Sequence, residues 1–282
     1  MKKRVSLVLG SGGARGLAHI GVIRWLEENG YKIDSISGCS MGALIGAFYA
    51  VGKLDAYVEW LDDIDTLDML KLLDFKGDGG LVLGDKLMSK LQDIAGEHNI
   101  EDLPINFTAV ATDINAEKEI WIKKGSLMDA IRASISLPLF FSPYRYKDKL
   151  LVDGGVLNPV PIAPTFNDDT DITIAVNLGA EPSSDVISDD NKEEPKDIKS
   201  KIKEYMSKIT MPDSVFSENG MHMVANKSFD TMQGSIANMK LAAYPPDIEI
   251  KIPRNICGIF DFKLSRKIID YGYNKCKESF EK

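Results

Sequence analysis

Hydrophobic and polar positions along this chain predict a strand, helix, strand, helix order from its first residues. Val5-Ser6-Leu7-Val8-Leu9 is a mostly apolar run of strand length, and it ends in Gly10-Ser11-Gly12-Gly13-Ala14-Arg15-Gly16, too rich in glycine to continue a regular element. Helical spacing follows from residue 17 to about 29, with Gly30 as a C-terminal stop. Residues 33–37 alternate as a strand, and residues 41–50 form a run of small and apolar side chains that reads as a buried helix. Strands joined through helices pair in parallel, because each helix carries the chain back across the sheet. The expected fold is therefore an α/β, three-layer α/β/α sandwich, with a mainly parallel central sheet covered on both faces.

Further along, residues 55–95 are helical in pattern but interrupted by Lys76-Gly77-Asp78-Gly79-Gly80, which reads as a polar loop. Residues 105–113 return to strand character, residues 116–122 are a candidate partner, and helical spacing at 126–136 is closed by Pro138. Leu150-Leu151-Val152-Asp153 is a short strand running into Gly154-Gly155, and residues 171–178 form a further buried strand. These elements predict a core over residues 5–180, closing near Gly179. Residues 181–211 are expected to be a charged, flexible segment. Its first part, 181–195, has six acidic side chains against Lys192, and 196–208 has five lysines against Asp197 and Glu204. The basic stretch suits solvent and, less simply, lipid head groups. Residues 212–282 then predict a helix to about Ala243, a strand at 247–252 and a terminal helix near 263–280, together an extension packed on the core.

Candidate chemistry gathers at three turns. Gly38-Cys39-Ser40-Met41-Gly42 is a G-x-S-x-G pentapeptide between a predicted strand and a predicted helix, the context in which such a turn presents a serine hydroxyl. Glycines at both ends, Gly38 and Gly42, permit the sharp turn and close helix packing, and the helix N-terminus favours negative charge beside Ser40. A serine hydroxyl needs a base to take its proton. Of the three histidines, only His222 stands where a conventional triad would place it in chain order, and no glycine-rich loop presents it; His98 reads as a loop residue and His19 as a packed helix residue. Asp153 is the stronger candidate, since it ends an apolar strand before Gly154-Gly155 and strand ends of a parallel sheet converge on one edge. Burial, or a hydrogen bond to the hydroxyl, would have to raise its basicity. The third turn, Gly12-Gly13-Ala14-Arg15, can offer successive N–H groups to an oxyanion, with Arg15 adding positive charge. A dinucleotide-binding loop fits less well: Arg15 stands where its third glycine belongs, and Asp34 begins rather than ends the second strand.

Composition narrows the classes further. A formal net charge of −8 over 282 residues leaves no basic stripe for nucleic acid and disfavours electrostatic adhesion to anionic lipid. Cys39, Cys257 and Cys276 lack metal-like spacing, so no metal and no cofactor is expected, and three cysteines fit a reducing compartment. Met1-Lys2-Lys3-Arg4 precedes too short an apolar stretch for a secretory signal, and no run is long enough to span a membrane. A cytoplasmic location is expected, with membrane contact at most peripheral. No oligomeric state is written in the chain.

Taken together, the three turns resemble the patatin-like phospholipase family, in its bacterial form, over roughly the first 180 residues. Gly12-Gly13-Ala14-Arg15-Gly16, the Gly38 to Gly42 pentapeptide and Asp153-Gly154-Gly155 match its motifs in order. Ala18-His19-Ile20-Gly21-Val22 and Arg132-Ala133-Ser134-Ile135-Ser136-Leu137-Pro138 are also similar to bacterial members. Ser11 departs from the pattern where many members have glycine. The resemblance implies a catalytic domain at 5–180 and a Ser-Asp dyad of Ser40 as nucleophile and Asp153 as base. It implies an oxyanion site lined by Gly12, Gly13, Ala14 and Arg15, and hydrolysis of lipid or simple esters through an acyl-enzyme without metal. Leu137, Leu139, Phe140 and Phe141 suit the wall of an acyl channel as well as plain core. A catalytically silent lipid- or partner-binding protein of the same fold is the alternative.

Overall fold

The computed structural model describes residues 2–64, 66–74, 82–187 and 221–281. At its centre β1 (Lys3–Leu9) pairs in parallel with β2 (Tyr31–Cys39) on one edge and with β7 (Ile172–Ala180) on the other. Both β1 and β7 are nearly continuous apolar runs, as strands buried on two faces must be. The sheet grows in parallel outward to β3 (Asn106–Asp113) beside β2 and to β8 (Ile248–Pro253) beside β7. Direction then reverses: β4 (Lys118–Ile122) and β6 (Lys149–Asp153) both run antiparallel to β3, and β6 carries a short antiparallel partner, β5 (Tyr144–Tyr146).

Helices cover both faces, giving the expected three layers. On one face Val5, Leu7 and Leu9 share a core with Ile20 and Ile23 of α1 (Ala18–Glu28), Ile45 and Phe48 of α2 (Met41–Ala50) and Ile268 of α8 (Ser265–Phe280). Trp25 of α1 stacks on Phe280 of α8 at 4.6 Å between ring centroids. On the other face Val8 and Ala175 meet Ala237 and Leu241 of α7 (Met221–Ala243), with Val160 and Ile162 beside them. Among the described residues of the connection from α2 to β3 are three helices, α3 (Leu54–Asp63), α4 (Thr66–Leu72) and α5 (Asp85–Ala95). α6 (Leu127–Ser134) starts at Ser126, whose hydroxyl accepts from the Asp129 N–H, and lies against β3.

Two expectations change. The core does not close near Gly179, because β8 extends the sheet beside β7 and α8 packs on α1, so residues 221–281 are part of it. Ile248, Ile250 and Ile252 alternate along β8 and bury what would otherwise be an apolar sheet edge. The helix expected over 126–136 ends at Ser134; Ile135 and Ser136 stay buried, and the chain reaches the surface only at Leu139. The loop at 76–80, residues 188–211 of the charged segment and residues 212–220 lie outside the described residues. Among the described residues no helix is long and apolar enough to cross a membrane.

Candidate active site

β2 ends at Cys39 and α2 begins at Met41, so Ser40 alone makes the turn between them. It does so at φ 55°, ψ −127°, a region that a residue with a side chain adopts only when its surroundings impose it. Crowding imposes it here. A Cβ on Gly42 would stand 2.1 Å from the Leu9 carbonyl oxygen, so the first turn of α2 lies directly on the end of β1. Gly38 and Gly42 also pack against each other, and a Cβ on Gly38 would come within 2.6 Å of Gly42. Ser40 is the N-cap residue of α2, yet its side chain makes no capping bond, which leaves Oγ free for other work. Its N–H donates to Ser134 Oγ at 2.9 Å, and that hydroxyl donates to the Val110 carbonyl at 2.7 Å.

Asp153 reaches Ser40 by a route the expected parallel convergence does not describe. β4 occupies one edge of β3 along its last five residues, so β2 and β6 must share the other edge. Cys39 stands opposite Val110 and Asp153 opposite Ala111, the next residue along. Two strands running in opposite directions therefore meet end to end, and the residues at their tips are Ser40 and Asp153. Close approach is needed at the junction: a Cβ on Gly154 would lie 2.1 Å from the Val110 carbonyl oxygen. Ser136 completes the support, its carbonyl accepting the Asp153 N–H at 2.9 Å.

Asp153 is fully buried, and no cation pairs with it among the described residues. Its Oδ1 accepts the Gly155 N–H at 2.7 Å, while Oδ2 has no hydrogen-bond partner. Burial raises its pKa to about 6, against which the Ser40 hydroxyl and the Gly155 N–H act in the lowering direction. The hydroxyl thus faces the carboxylate closely enough to be felt, without the alignment of a closed hydrogen bond. In ligand-free sites such contacts are commonly loose.

The glycine loop divides its groups between structure and solvent. The Ser11 N–H donates to the Pro159 carbonyl at 2.8 Å and the Ala14 N–H to the Ile259 carbonyl at 2.9 Å. Among the described residues the N–H groups of Gly12 and Gly13 find no acceptor, and both glycines line the same cavity as Ser40. The four residues expected to line an oxyanion site therefore differ: Gly12 and Gly13 keep free donors, and Ala14 does not. Arg15 reaches the cavity but is buried, and its guanidinium donates to the Gly12 carbonyl at 3.0 Å, the Arg254 carbonyl at 2.6 Å and Asp230 at 3.0 Å. It holds the loop in place from behind. Gly155 is covered by Gln233 of α7, whose amide also donates to Ser11 Oγ at 3.3 Å.

In front of Ser40 opens a cavity of about 360 Å³. Its walls are almost wholly apolar and come from α2, α3, α5, residues 135–141 and residues 259–262, with Leu44, Tyr57, Leu91 and Phe141 among them. The first half of the chain thus supplies one side and the C-terminal part the other, including Phe229 and Asp230 of α7. Neither described histidine side chain serves Ser40. His19 Nε2 bonds the Gly10 carbonyl at 2.9 Å and burial lowers its pKa to about 4, while His98 bonds the Ala95 carbonyl. The His222 side chain lies outside the described residues. Cys39, beside the nucleophile candidate, is buried and donates to the Pro159 carbonyl, a packing role. Ser134 belongs to the 132–138 stretch noted in the sequence, although nothing there says that its hydroxyl meets the Ser40 N–H; Gln233 and Asp230 carry no local sequence signal, and only the fold brings them to this site.

Comparison with known proteins agrees with this architecture. The family model described as patatin-like phospholipase matches residues 7–166. An uncharacterized NTE family protein of Mycobacterium tuberculosis is 34% identical, over 99% of this chain and 91% of that one. A patatin-like phospholipase domain-containing protein of Caenorhabditis elegans is 36% identical over 62% of this chain and 14% of its own length. The crystal structure of VipD from Legionella pneumophila superposes with a TM-score of 0.56 at 16% identity, covering 99% of this chain and 67% of that one, a likeness of fold.

Proposed function

The chain belongs to the patatin-like phospholipase family, whose general activity is lipid hydrolysis, and from that premise we propose that it is a serine acyl hydrolase working through Ser40 and Asp153. The observation that carries the proposal is the end-to-end meeting of β2 and β6, with a strained, uncapped serine facing a buried carboxylate at the mouth of an apolar cavity. In this reading an acyl chain lies in the cavity with its ester carbonyl against Ser40. Asp153 takes the hydroxyl proton as Oγ attacks, and a pKa near 6 makes it both a carboxylate at neutral pH and a better base than an exposed aspartate. Charge developing on the carbonyl oxygen meets the N–H groups of Gly12 and Gly13 and the N-terminus of α2. The protonated Asp153 returns its proton to the leaving alcohol, and water activated by the same carboxylate then releases the fatty acid.

The described parts of residues 3–187 and 221–281 act as one catalytic unit in this account, because α7 and residues 259–262 supply part of the cavity wall. The test is labelling with a fluorophosphonate probe together with turnover of a p-nitrophenyl ester. Ser40→Ala should lose both and His222→Ala neither. A folded wild-type chain that takes up no probe would favour the catalytically silent lipid-binding alternative.

A further inference from the structure

The cavity opens between two apolar projections that nothing in the described structure covers. Of the residues lining it, Leu139 and Phe260 are the exposed ones, at 60% and 45%. They come from segments far apart in sequence, brought together where Phe140 stacks on Phe260 at 4.7 Å. Residues 135–143 and 255–260 contain no charged side chain. Beside them, Asp261 is turned onto the Gly258 N–H at 2.6 Å.

Leu139 is held outward rather than left loose. Its φ is +68°, in the left-handed region that a leucine rarely adopts. Both ends of its loop are anchored by one buried cation: Arg132 donates to Ser136 Oγ at 2.6 Å, to the Ser142 carbonyl at 3.1 Å and to the Leu83 carbonyl. Val82 adds two backbone bonds, one to Phe140 and one to Ser142, each 2.9 Å. A rigid loop that strains its backbone to expose a leucine points to something that meets that leucine. On the other strip, the Ala14 N–H grips the Ile259 carbonyl, so the rim is tied directly to the glycine loop.

We propose that Leu139 and Phe260 form a docking rim for a zwitterionic phospholipid bilayer, from which an acyl chain passes into the cavity without crossing polar surface. The assignment rests on the acyl-hydrolase reading above. Continuity selects this occupant: the rim is the lip of an apolar cavity, so a partner seated there has to be one whose contents enter. The net charge of −8 and the uncharged rim select a neutral surface over an anionic one. A second copy seated there would plug the opening.

The experiment uses the full chain carrying Ser40→Ala, so that turnover plays no part, in flotation with phosphatidylcholine vesicles. It should float with the vesicles, and adding Leu139→Asn and Phe260→Ser should weaken partitioning about tenfold or more. Asparagine tolerates the left-handed backbone, so the thermal midpoint of this variant should hold. As an independent readout, Leu139→Cys carrying an environment-sensitive dye, in a chain whose three native cysteines are buried, should brighten on vesicle addition. Unchanged partitioning of the folded rim variant would overturn the proposal. So would a parent that does not float, or one that floats only with phosphatidylserine and is released by salt. A dimer that the rim substitutions dissociate would overturn it in favour of a second copy. Vesicle binding through the rim with no fluorophosphonate labelling of wild-type Ser40 would instead break the catalytic reading and leave the docking surface standing.

Discussion

The two sides of the cavity are built on different principles. Around Ser40 and Asp153, backbone presses on backbone: the elbow lies on β1, and the Asp153 turn lies on β3. Around the opening, apolar side chains supply the surface, and a loop projects from a single buried arginine. The difference follows from the tasks. Proton transfer needs donor and acceptor held within fractions of an ångström, which only close-packed backbone guarantees, whereas an acyl chain needs a dry surface of suitable shape.

Four substitutions and a pH series probe that contrast. Asp153→Asn keeps the shape of the carboxylate and removes the base, so ester turnover should fall about 10⁴-fold while the fold is retained, as judged by circular dichroism. Gly154→Ala puts a methyl group against the Val110 carbonyl and should cost about 3 kcal/mol or more in denaturant unfolding. Gly30→Ala, where a Cβ meets nothing within 4 Å, should cost only about 1 kcal/mol despite its φ of +82°. Equal losses at the two glycines would dissolve the distinction between crowded centre and open periphery.

The buried carboxylate should also make its cost visible through pH. Asp153 holds its proton to about pH 6 in the folded chain but loses it near 3.8 in the unfolded chain. Its stabilising effect is therefore complete below 3.8 and lost as pH rises through about 6, a change of about 3 kcal/mol. Asp153→Asn, neutral throughout, should gain on wild type by that amount between pH 4 and pH 7 in chemical denaturation. Wild-type turnover should rise through about pH 6 and level above it, so the pH range that favours catalysis is the one that strains the fold. The smallest effect belongs to the wall: Leu87→Trp, on α5, should lower the turnover ratio of a long-chain to a short-chain p-nitrophenyl ester by about threefold, a change in selectivity.

Much of the central sheet was legible because its strands are apolar runs bounded by glycine, and the elbow was legible because one pentapeptide contains strand end, nucleophile candidate and helix start. The antiparallel course of β6 was not legible. Its five residues are an apolar run between two charged ends, which carries no direction, and only β4's occupation of the far edge of β3 forces β6 onto the edge that β2 uses. The place of residues 221–281 in the core was equally hidden, since an alternating strand such as β8 does not say which edge it joins. The division of labour in the glycine loop, with Gly12 and Gly13 free but Ala14 and Arg15 engaged, depends on Ile259, Asp230 and Arg254, more than 200 residues away.

What the sequence determined by itself is local: where strands and helices begin, which serine stands at a strained turn, and which aspartate ends an apolar strand before two glycines. Those are properties of neighbours along the chain, governed by sterics and by the periods of helix and strand. The tertiary structure decided what is long-range. It set Asp153 against Ser40 end to end, removed that carboxylate from water, anchored Arg15 to α7 and turned Leu139 outward beside Phe260. Desolvation and contact depend on distance in space, and the chain acquires those distances only when it folds.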